Sequence, residues 1–81
     1  MDREKARAER EKRRQAIGSR LRILRRESRI TQAALAKKVH VSQQMIGHIE
    51  TGKKAMTPKL CHKIARAIGC STDDIINGES A

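Results

Sequence analysis

The chain has 81 residues, with 19 Lys and Arg against 9 Asp and Glu, for a formal net charge of +10. That length gives one small domain, and that surplus calls for an anionic partner: nucleic acid, an acidic membrane surface or an acidic protein. Phe, Trp and Tyr are all absent, which excludes the aromatic platforms that hold single-stranded nucleic acid and leaves a small aliphatic core. Residues 2–14 carry Arg3, Lys5, Arg7, Arg10, Lys12, Arg13 and Arg14 beside Asp2, Glu4, Glu9 and Glu11, with Ala6 and Ala8 as the only apolar positions. These residue types favour helix, and Glu9 with Arg13 is an i,i+4 pair in the better orientation. With nothing to bury, the segment reads as a frayed or partner-dependent helix outside the core. Residues 1–16 are therefore taken as a basic N-terminal arm, helical or disordered. It either follows a DNA backbone or is a solvated tail, and its mixed charge argues against a purely polybasic arm.

The apolar pattern begins at Ile17. Ile17, Leu21, Leu24 and Ser28 recur at helical spacing, and Ile30 follows in a loop. Thr31 is a good N-cap for a second helix with Leu35, Ala36 and Val39 inward. After a break at His40 and Val41, Ser42 caps a third, with Ile46 and Ile49 inward and Gly52 at its end. Lys53 to Met56 is a loop. Thr57-Pro58 pairs an N-cap with proline at the first helical position, and the fourth helix then runs to about Ile68 with Leu60, Cys61, Ile64, Ala65 and Ile68 on one side. Gly69 stops it. Ser71 or Thr72 opens a fifth, with Asp73 and Asp74 in the first turn, where negative charge suits the helix dipole, and Asn77-Gly78 closes it. No strand pattern and no internal repeat is present. The expected fold is all-α: five short helices over 17–78 behind the arm, with a short tail at 79–81.

Residues 32–50 carry the functional reading. Two short helices separated by a tight break have the geometry of a helix-turn-helix, whose second helix enters the major groove by its N-terminal end. With Ile46 and Ile49 inward, Gln43, Gln44, Gly47, His48 and Thr51 share the outward face, and all but Gly47 can hydrogen-bond. Gln43 and Gln44 are the best candidates for base contacts, since a glutamine amide pairs with adenine N6 and N7 together. His48 and Thr51 are weaker candidates on the same face. Gly47 costs about 1 kcal/mol in mid-helix, which close approach of its backbone to DNA would justify. Ser42 is placed to cap and touch phosphate at once, and Lys53 and Lys54 to contact phosphates from the loop.

At these residues the chain resembles the lambdoid phage repressor and Cro type of helix-turn-helix regulators. The resemblance covers 17–78 and rests on Ile17-Gly18, Leu21, Leu24-Arg25, Thr31 to Ala36, Val41 to Gln44, Ile46, Ile49-Glu50, Gly52-Lys53, Ala67 to Ser71 and Asp74 to Gly78. It implies a five-helix lambda-repressor-like domain that binds a two-fold symmetric double-stranded operator as a homodimer. It also implies a phosphate clamp at Gln32, where a helix N-terminus suits an anion on physical grounds. It further implies a structural ion pair between Arg25 and Glu50, and a dimer contact at the loop before the fourth helix and around the fifth. Met56, a large apolar residue in an otherwise polar loop, fits that dimer contact. Two positions depart from the family pattern: His40 and Arg29 stand where glycine is frequent, and His40 costs about 1 kcal/mol if its backbone is left-handed.

The leading reading is a sequence-specific transcriptional regulator, a repressor, bacterial or phage-encoded and acting in the bacterial cytoplasm at the nucleoid. The alternative is an antitoxin or protein-interaction module of the same fold with autoregulatory DNA binding, which a neighbouring toxin gene would favour. An enzyme is not expected, because Cys61, His62 and His48 form no nucleophile, base and orienter set. Cys61 and Cys70 read as reduced thiols. His40, His48 and His62 have no ligand spacing, so no metal or cofactor is expected. No small-molecule effector and no membrane contact is read from the sequence, since no apolar run approaches the ~20 residues of a span.

Overall fold

Polar caps and glycines divide the chain into helices at nearly the places the sequence marks. The computed structural model describes residues 2–78. In it α1 spans Arg3–Glu27, α2 Gln32–Val39, α3 Gln43–Glu50, α4 Pro58–Ile68 and α5 Thr72–Ile76, with no strand among the described residues. The expected 79–81 tail lies outside them. Thr31, Ser42 and Thr57 each accept a hydrogen bond from the backbone N–H three residues on, at 3.0, 3.0 and 3.1 Å. Ser71 rather than Thr72 caps α5, in a reciprocal box: its hydroxyl accepts from the Asp74 N–H, and its own N–H donates to the Asp74 carboxylate. The turns after α1 and α2 place Arg29 (φ 58°) and His40 (φ 60°) in the left-handed region. Those are the two positions where the family frequently carries glycine, and each costs on the order of 1 kcal/mol.

The core is aliphatic: Leu21, Leu35, Ala36, Val39, Ile46, Ile49, Cys61, Ile64, Ala65 and Ile75 are buried, drawn from all five helices. Fully burying a side chain such as Leu21, Leu35, Ile46, Ile49, Ile64 or Ile75 stabilises by roughly 1.5–3 kcal/mol. Arg20 fastens α5 to α1. Its guanidinium donates to the carbonyls of Ile75 (2.8 Å) and Ile76, which terminate that short helix.

Two sequence expectations about α1 change. The helix starts at Arg3, not near Ile17, and runs unbroken for 25 residues. Tertiary contact reaches back to Arg14, whose Nε donates to the Gly52 carbonyl at 3.1 Å, and to Gln15, which packs on Gly52. The residues 3–16 are thus continuous with the domain rather than a separate frayed segment. The buried stripe is also rotated from the apolar periodicity: Gly18, Leu21 and Arg25 are buried, Ile17 and Leu24 only partly, and Ser28 is exposed. The reason is that α1 lies against α3 so closely that only a glycine fits at the crossing, with a charged pair beside it.

Candidate nucleic-acid interface

The α2–turn–α3 unit is the helix-turn-helix expected from the sequence. The Val41 N–H donates back to the Ala36 carbonyl at 3.0 Å across the left-handed His40. This tight turn lets Leu35, Ala36 and Val39 pack against Ile46 and Ile49.

Burying Ile46, Ile49 and Glu50 leaves the other face of α3 outward. Gln43 and Gln44, in the first turn, and Thr51, at the end, are exposed, while Gly47 and His48 are half-buried between them. The four candidate base-contact residues therefore share a face, though not equally. The Thr51 hydroxyl already bonds within the helix, to the Gly47 and His48 carbonyls at 3.1 and 3.3 Å. The Gln43 and Gln44 side chains are exposed to solvent. No heavy atom stands within 4 Å of where a Cβ on Gly47 would sit, so packing does not explain that glycine.

Glu50 joins α3 to its neighbours. Its carboxylate accepts from Arg25 Nε at 2.6 Å and Nη2 at 3.0 Å, and from Gln32 Nε2 at 3.0 Å. Arg25 Nη1 donates to the Ile30 carbonyl at 2.8 Å. The hydrogen bond to Glu50 raises the Arg25 pKa above its ordinary value, against the opposing effect of desolvation. One carboxylate thus ties α1, α2 and α3 together. The pairing that the resemblance implied for Arg25 and Glu50 is present as a bidentate contact. Gln32 is a partner that sequence reasoning missed: its amide nitrogen donates to Glu50. The Ser42 hydroxyl likewise serves first as a cap.

Between Ser28 and Cys70 the only acidic residue is Glu50, and it is buried and paired. Arg29, Lys37, Lys38, Lys53, Lys54, Lys59, Lys63 and Arg66 are all exposed, so the surface of this stretch is strongly basic, with Glu11 of α1 adding one exposed carboxylate near Thr51 and Lys53. Lys53 and Lys54 directly follow Gly52, whose carbonyl accepts from Arg14. Met56 is differently placed than expected: it is half-buried against the core, beside Ile17 and Ile49. Its apolar character is therefore accounted for within a single chain. Burial raises the pKa of both cysteine thiols, aided at Cys70 by Asp74 and Cys61, which makes them poor nucleophiles at neutral pH. Among the described residues no three His, Cys, Asp or Glu side chains are grouped to hold a metal, and no helix is long and apolar enough to cross a membrane.

This geometry defines an all-helical domain of the lambda-repressor type, and comparison with known proteins agrees. A family model described as helix-turn-helix matches residues 21–75. The chain belongs to this helix-turn-helix family, of the lambdoid repressor type. A crystal structure of the clp gene regulator ClgR from Corynebacterium glutamicum is 30% identical with a TM-score of 0.76, the match covering 79% of this chain and 68% of that one. A crystal structure of the P22 c2 repressor in complex with a synthetic operator is 32% identical with a TM-score of 0.74, over 80% of this chain and 98% of that one.

Proposed function

We propose that this protein is a sequence-specific, double-stranded DNA-binding transcriptional regulator, a repressor, that reads the major groove with α3. The observation that carries the reading is the polar outward face of α3, with Gln43 and Gln44 in its first turn, in a strongly basic stretch from Ser28 to Cys70 whose one carboxylate, Glu50, is neutralised internally. In this arrangement Gln43 and Gln44 reach base edges, with His48 and Thr51 behind them. The N-terminus of α2 at Gln32, Ser42, and Lys53 and Lys54 hold phosphates, which position the helix without reading sequence. Similarity to the P22 c2 repressor, whose structure contains an operator, supports the same partner here. A homodimer on a two-fold operator is what the family resemblance implies; the packing of Met56 on its own core removes it as independent support.

Selection of bound duplexes from a random pool tests the proposal, and is expected to return a symmetric pair of half-sites. On that site Gln44→Ala should cost roughly 1–3 kcal/mol and relax preference at one or two base pairs. Lys53→Ala should weaken selected and random DNA alike and lower the log–log salt slope by about one. Recovery of no enriched sequence, or equal losses on both DNAs for both variants, would refute base reading by α3.

Gly47 gives a second check with opposed readouts. Alanine there meets open space, so Gly47→Ala should raise stability by about 1 kcal/mol through helix propensity. If the bare backbone lies against DNA, the same variant should bind the selected site more weakly while melting later. Tighter or unchanged binding would remove Gly47 from the interface.

A further inference from the structure

The first three turns of α1 carry a row of arginines that the helix-turn-helix itself does not use. Arg3, Arg7, Arg10 and Arg14 recur at i, i+4, i+7 and i+11. The series runs on into Gly18, Leu21 and Arg25, the buried stripe of the same helix. Because α1 is unbroken, the four arginines lie on the side of the helix that faces α3. No acidic residue interrupts the row: Glu4 and Glu11 lie beside it and Glu9 on the opposite side. The row is also anchored. Arg14 is held on the Gly52 carbonyl at 3.1 Å, in the loop that directly follows α3 and carries Lys53 and Lys54. From there Arg10, Arg7 and Arg3 extend about 16 Å beyond the domain at the helical rise, all three exposed.

We propose that this arginine row is a rigid rail for the phosphate backbone of the same duplex that α3 reads, lengthening the contact beyond the major groove. The inference rests on the function proposed above. An arginine row facing solvent repels its own copy, and Ala6 and Ala8 offer too little apolar surface to drive protein association. A polyanion is favoured because each phosphate neutralised releases condensed counterions. Continuity with Lys53 and Lys54 places the row next to the strand those lysines touch. The helical backbone fixes the spacing of the guanidinium groups in advance, which reduces the ordering cost that a flexible tail would meet on binding.

The test uses the full chain and the duplex recovered by selection. Arg3→Gln, Arg7→Gln and Arg10→Gln combined remove three charges from the row. Lys5→Gln, Lys12→Gln and Arg13→Gln combined remove three from the other faces of the same segment. The row variant is expected to lower the log–log salt slope by about two to three, near 0.9 per lost phosphate contact, and to shorten the hydroxyl-radical footprint at one edge. Its ratio of selected to random affinity and its melting temperature should match wild type, and the control variant should keep a near wild-type slope and the full footprint. Equal slope losses in both variants would show diffuse charge rather than a rail and overturn the proposal. An unchanged slope and footprint in the row variant would overturn it too, leaving the row to an acidic protein surface, while wild-type binding left the groove-reading function standing. If wild type protects no duplex at all, both fall together.

Discussion

Glu50→Ala should unfold a large share of the protein. The Glu50 side chain is 2% exposed and that of Arg25 9%. Removing the carboxylate leaves a buried guanidinium that stays charged, because arginine does not deprotonate in proteins, and takes away the partner that offset its desolvation. Breaking a buried pair from one side costs about 3–5 kcal/mol, against a total near 0.05–0.15 kcal/mol per residue for a domain this small. Gln32 loses its partner in the same step. In urea unfolding the midpoint should fall sharply, and the melting temperature should drop by roughly 4–8 °C for each kcal/mol lost. Replacing both partners by apolar residues, as in Arg25→Met with Glu50→Leu, should recover most of the loss, because no charge then remains buried. A single variant that shifted stability by less than about 1 kcal/mol would mean that the pair does not hold the three helices together. A double variant that folded but lost binding to the selected duplex would show that the pair sets the angle of α3 for DNA.

What could be read before the fold was known follows a physical line. Helices α2 to α5 were legible because their signals are local: a hydroxyl residue three positions before a bonded N–H, an apolar residue every third or fourth place, a glycine or a tolerant residue at a left-handed turn. Arg29 and His40 stood out only as departures from the glycines frequent in the family that the chain resembles, and both adopt the positive φ that such positions require. The start of α1 was not legible, because a charged run with two alanines offers no apolar period. Its attachment depends on Arg14 reaching a carbonyl 38 residues away, and no sequence period encodes such a contact. Met56 misled for a related reason: a loop with polar neighbours still folds back onto Ile17 and Ile49. The outward face of α3 was legible once Ile46 and Ile49 were placed inward. The engagement of Gln32 by Glu50 was not, since a first-turn glutamine looks the same whether it points at a phosphate or at a neighbouring carboxylate.

Gly18→Ala should be the most damaging small substitution in the chain, and its sign runs against local expectation. In an exposed helix, glycine to alanine gains about 1 kcal/mol, and Gly47, with open space around it, should show that gain. At Gly18 a Cβ would stand 2.3 Å from the Ile49 carbonyl oxygen, 2.6 Å from the Glu50 oxygen and 2.8 Å from the Glu50 carbonyl carbon. All three are backbone atoms of α3, so no side chain can rotate aside. Relief requires α1 and α3 to separate, and the Arg25–Glu50 contact, with its 2.6 and 3.0 Å hydrogen bonds, spans that same crossing. Overpacking alone costs about 1–3 kcal/mol, and loosening the buried ion pair adds to it. Calorimetry of the two glycine variants side by side should therefore give shifts of opposite sign, Gly47→Ala melting later than wild type and Gly18→Ala well earlier. Equal or like-signed shifts would mean that the α1–α3 crossing can yield. The fixed presentation of Gln43 and Gln44, which depends on that crossing, would then need another support.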